Sequence, residues 1–77
     1  MNKPQQEMTQ FYPTLTIWAL NACMYKGMGT PYPEDNSVEI QTKGHIVRFV
    51  PTMDGQKLCV FIRKGYRIVY TREIKVY

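Results

Sequence analysis

The fold class predicted for this chain is α+β, with one N-terminal helix packed on a four- to five-stranded antiparallel meander sheet. Three observations predict it. Residues 14–26 carry apolar side chains at helical spacing, and residues 37–77 alternate β-branched and aromatic runs with short glycine turns. A length of 77 residues supports one hydrophobic core and not two.

The helix comes first. Pro13 is expected to stop any earlier helix and open a new one, because proline fits a first turn where its missing N–H costs nothing. Leu15, Trp18, Ala19, Ala22 and Cys23 then share one face, and Ile17, Leu20 and Met24 widen the apolar stripe beyond that of a half-buried helix. Gly27 ends it at a position suited to a left-handed backbone. Residues 1–12 are polar and read as a flexible arm or as a short first turn with Asn2 as cap. Residues 27–36, with two glycines and two prolines, read as a loop in which Tyr32 anchors the chain to the domain.

Four strands follow, at Val38 to Thr42, His45 to Val50, Lys57 to Arg63 and Tyr66 to Thr71. Ile74 to Tyr77 extends the last strand or forms a fifth. Two-residue turns at Lys43-Gly44, Asp54-Gly55 and Lys64-Gly65 would pair Thr42 with His45, Met53 with Gln56, and Arg63 with Tyr66. In that register Val38, Ile40, Val47, Phe49, Leu58, Val60, Ile62 and Val69 form an aliphatic face for the helix to cover. The other face collects Ile46, Arg48, Lys57, Cys59, Phe61, Arg63, Tyr66, Ile68, Tyr70 and Arg72, a mixture of aromatic rings and cations.

Charge points the same way. The chain carries +4 overall, with residues 1–36 at −1 and residues 37–77 at +5, because eight of the ten Lys and Arg fall in the second half. Rings that stack on bases, set among cations that meet phosphates, are what a single-stranded nucleic acid requires. Arg48, Lys57, Phe61, Arg63, Tyr66, Tyr70 and Arg72 are therefore the candidate nucleic-acid-binding residues. The same patch would also suit an acidic protein. Lys64-Gly65-Tyr66-Arg67-Ile68-Val69-Tyr70 partly resembles the strand signature of the RNA-recognition motif, but Arg67 and Ile68 depart from it. That motif's alternating strand and helix order is also absent, so the family is not assigned.

The alternative reading is a regulatory or inhibitory protein that docks onto a larger one, with Trp18, Met24 and Met28 as anchors on an over-hydrophobic helix. A core this small also makes a second copy of the chain a candidate partner.

Catalysis is not expected. His45, the single histidine, sits beside a turn glycine with no relay partner at a telling spacing and reads as an exposed turn residue. Cys23 and Cys59 lack the spacing of a zinc site or a disulfide framework, so they read as buried free thiols and no metal or cofactor is expected. Gly27 and Gly29 follow a helix, whereas a phosphate cradle precedes one. No apolar run reaches the roughly 18 residues of a membrane span. Leu20-Asn21-Ala22-Cys23 is a poor lipoprotein box because Asn21 is polar and the preceding leader is not basic. A cytoplasmic location is the expectation.

Overall fold

The computed structural model describes the backbone of residues 3–76 and the side chains of residues 10–76. Asn2, the expected cap, and Tyr77 lie outside the described residues. One helix, α1 (Lys3–Tyr25), packs on a five-stranded antiparallel sheet, β1 (Thr30–Tyr32), β2 (Ser37–Thr42), β3 (His45–Pro51), β4 (Lys57–Lys64) and β5 (Arg67–Lys75). Spatial order follows chain order from β1 to β5. The predicted architecture is thus the observed one.

The helix is longer than expected and contains Pro13. A proline there removes the bond to the carbonyl four residues back, yet packing compensates. Phe11 and Tyr12 lie against His45 at centroid distances of 5.4 and 5.7 Å, and Tyr12 stacks on Tyr70 at 5.7 Å, which holds the segment before Pro13 on the sheet. The buried Thr16 hydroxyl donates to the Tyr12 carbonyl at 2.8 Å, so it brings no unpaired polar atom into the core. At the other end Gly27, at φ 64°, turns the chain so that the Met28 N–H donates to the Ala22 carbonyl at 3.1 Å.

The first two hairpins take the expected register. Thr42 pairs with His45 across Lys43 (φ 51°) and Gly44 (φ 74°), both left-handed as a type I′ turn demands. Val47 pairs with Ile62 and Phe49 with Val60, as the Met53 and Gln56 pairing implied, although the connecting loop is longer than two residues. The third hairpin differs. Its turn is Gly65-Tyr66 and not Lys64-Gly65, so Lys64 pairs with Arg67 and Arg63 with Ile68. A bulge at Ile62/Arg63 then lets Ile62 face Tyr70 and Val60 face Arg72. The fifth strand comes from the expected loop and not from the C-terminus. Pro31 and Pro33 masked it, but proline is tolerated on an edge strand, where its missing donor breaks no ladder.

The core lies between α1 and the helix-facing side of the sheet. Leu15, Ala19 and Ala22 of the helix meet Ile40, Val47, Phe49, Val60 and Ile62, all buried. Burying each of the larger side chains contributes about 1.5–3 kcal/mol. Gly29 (φ 101°) lets the chain leave the helix closely, since a Cβ there would sit 3.0 Å from Val38 and 3.1 Å from the Cys23 sulfur. Cys23 and Cys59 are free and half-buried, and burial raises the pKa of the Cys23 thiol. Trp18, expected on the core stripe, points outward and is 44% exposed, because the sheet covers the helix along the Leu15, Ala19 and Ala22 line.

Candidate nucleic-acid interface

Strand alternation on β3 and β4 puts Arg48, Lys57, Phe61 and Arg63 on the side of the sheet away from the helix. Ile46 and Ile68 join them, and Asp35, Glu39, Arg48, Phe61, Arg63 and Ile68 border a shallow groove of about 360 Å³. Two expected members are elsewhere. Tyr70 and Arg72 register with Ile62 and Val60 and so belong to the helix side, because the bulge shifts β5 by an odd number of residues. Tyr70 stacks on Tyr12, while Arg72 remains exposed. Tyr66 belongs to neither face, since it occupies the turn and is fully exposed.

The open face is not a bare cationic surface. Arg48 lies 3.8 Å from Asp35 and 3.8 Å from Glu39, and Arg63 lies 3.7 Å from the same Glu39 oxygen. Arg48 Nε also donates to the Ser37 hydroxyl at 3.0 Å, and its guanidinium sits 4.7 Å from the centre of the Tyr32 ring. The Tyr32 hydroxyl donates to Glu39 at 3.2 Å. Lys57 meets Glu73 at 3.6 Å. Such surface pairs are individually weak, about 0–1 kcal/mol, but together they cancel the field that would draw in a phosphate. Hydrogen bonding to Ser37, helped by Arg48, lowers the Asp35 carboxyl below its usual pKa and keeps it ionised.

Sequence reasoning missed these carboxylates, although the signal was present. Pairing Thr42 with His45 places Glu39 directly opposite Arg48. Asp35 and Tyr32 required knowledge of β1, which the prolines concealed.

Net positive charge accumulates instead at one end of the sheet. The turns joining β2 to β3 and β4 to β5 lie side by side there, carrying Lys43 and, around Gly65-Tyr66, Lys64 and Arg67. All three cations are exposed, and among the described side chains none of them has a carboxylate within ion-pair distance. Glu34, Asp35, Asp54 and Glu73 lie towards the opposite end, with Lys26, Lys57, Arg72 and Lys75 balancing them. His45, expected to be exposed at this turn, is 8% exposed, and its Nδ1–H donates to the Lys43 carbonyl at 2.8 Å. It fixes the turn from below.

Among the described residues, no three His, Cys, Asp or Glu side chains gather closely enough to share a metal ion. No described helix is long and apolar enough to cross a membrane. No family model, curated protein or solved structure matches the chain.

Proposed function

We propose that this protein is a non-catalytic binding module that contacts single-stranded nucleic acid through the turn end of its sheet. The observation that supports the reading most is the gathering of exposed Lys43, Lys64 and Arg67, without an ion-pair partner among the described side chains, around the fully exposed ring of Tyr66. Cations in adjacent turns can follow a phosphate backbone, and a ring held in a tight hairpin offers a stacking platform at little entropic cost. Arg63, one step from the turn and only loosely held by Glu39 at 3.7 Å, can extend the track. Fluorescence polarisation with a labelled single-stranded oligonucleotide tests it. Affinity should fall with salt at a log-log slope of about 2, from three phosphates at about 0.7 each. Absence of binding at low salt rules the reading out.

A second reading, docking onto a protein, is favoured by a separate observation. Trp18, Met24 and Met28 are 44%, 61% and 46% exposed, so the anchors named from sequence are available. Binding through them would respond little to salt.

A further inference from the structure

The outer face of α1 is unusual for a surface exposed to water. At 100° per residue, Gln10, Thr14, Ile17, Trp18, Asn21, Met24 and Tyr25 form one continuous outer face centred on Asn21, with Met24 and Ile17 opposite the Leu15, Ala19 and Ala22 line and Trp18 on the flank nearest to it, and none carries a charge. No charged residue occurs from Met8 to Tyr25. Exposed helices normally keep solubility with charged outer positions, so this face is built to be covered.

Its pattern identifies what covers it. Thr14, Ile17, Asn21 and Met24 recur at spacings of three and four, the seam of a two-helix coiled coil, with Asn21 at the middle of the face. Reading the stripe backwards about Asn21 sets Ile17 opposite Tyr25 and Trp18 opposite Met24, so the face is complementary to itself. Ile17, Trp18, Met24 and Tyr25 together expose at most roughly 500–600 Å² per molecule, below the ~800 Å² each partner contributes to a standard stable interface, which suits an association of moderate strength.

We infer that the outer face of α1 is the seam of an antiparallel homodimer, with Asn21 of each copy on the two-fold axis. The inference rests on reading this face as a protein-docking surface and not on the polyanion reading of the turn end. The antiparallel arrangement follows from charge. Parallel helices would set two turn ends, each bearing Lys43, Lys64 and Arg67, side by side, whereas antiparallel ones put them at opposite ends of the assembly. An asparagine on the axis satisfies its amide against its twin, a device that fixes register in a paired seam.

Sedimentation equilibrium of the full chain from about 10 μM to about 1 mM tests the inference. The mass should rise from 9.1 kDa towards twice that value with little dependence on salt. Asn21→Asp, which brings two like charges together on the axis, should weaken association about tenfold or more, and Trp18→Glu should abolish it. Both positions are exposed in the single chain, so circular dichroism should be unchanged. Oxidised mixtures of I17C and Y25C should cross-link above the background of the native cysteines, and neither variant alone should; self-linking of each alone would overturn the antiparallel arrangement. A mass of 9.1 kDa throughout overturns the second copy as occupant. In that event, an apolar dye that binds the wild type and not Trp18→Glu leaves the docking surface standing for a different protein, and a dye that binds neither removes that reading too.

Discussion

The two ends of the sheet use the same side chains to different effect. At the loop end, Arg48 is held by Asp35, Glu39, Ser37 and Tyr32, and Lys57 by Glu73, so positive charge serves the fold. At the turn end, Lys43, Lys64 and Arg67 stand exposed without a described acidic partner. Three cations without a described acidic partner are therefore gathered at one end of the sheet and not spread over a face. The contrast teaches that counting cations on a strand face says little about its field until the carboxylates across the ladder are counted as well.

The largest effect that could break this contrast is on binding. Lys64→Glu with Arg67→Glu should lower oligonucleotide affinity about 100-fold and reduce the salt slope by about 1.4, while Lys57→Glu with Lys75→Glu should change affinity less than about threefold. Polarisation titrations at two salt concentrations measure both. Equal losses from the two pairs would mean that the ends are not distinct.

Tyr66→Ala comes next, with a binding loss of about 1–3 kcal/mol if a base stacks on the ring. Because Tyr66 is fully exposed, the denaturation midpoint should not move. A stability loss in place of a binding loss would assign the ring to packing.

Much of this was legible in the sequence. Helix position, strand runs and the register of two of the three hairpins follow from local chemistry, since glycine after lysine at residues 43 and 44 admits the left-handed pair that a tight hairpin needs. What escaped was decided by contacts distant in sequence. Helix continues through Pro13 because Phe11 and Tyr12 find His45 and Tyr70, none of which a local window joins. One bulge near Ile62 moved Tyr70 and Arg72 to the helix side. Of the seven candidate binding residues, only Tyr66 lies within the turn end, where the cations without a described acidic partner collect, with Arg63 beside it.

Arg48 offers a smaller and more diagnostic effect. Arg48→Met removes its hydrogen bond to Ser37, its ion pairs and its stacking on Tyr32, and should cost about 1–2 kcal/mol of stability. Oligonucleotide affinity should stay within about twofold of the wild type. A loss of binding without a loss of stability, seen by urea denaturation beside polarisation, would return the interface to the open face.

The smallest effect separates the ends by pH. Asp35 is lowered by its hydrogen bonding to Ser37 and the nearby Arg48, and Asp54 by the Thr52 hydroxyl and the Gln56 N–H, all towards the loop end. A carboxyl whose folded pKa lies below its unfolded value stabilises the fold above the unfolded pKa, and that contribution disappears as pH falls through the folded one. Melting temperature should therefore decline as pH drops below about 4, and Asp35→Asn with Asp54→Asn should flatten the decline. Both groups face solvent, so the change is modest, but its direction is fixed. Lys43, Lys64 and Arg67 lie at the opposite end of the sheet, and the decline should be the same whether or not they are replaced by alanine. A decline that depended on those cations would mean that the two ends communicate through charge, against the separation on which the interface rests.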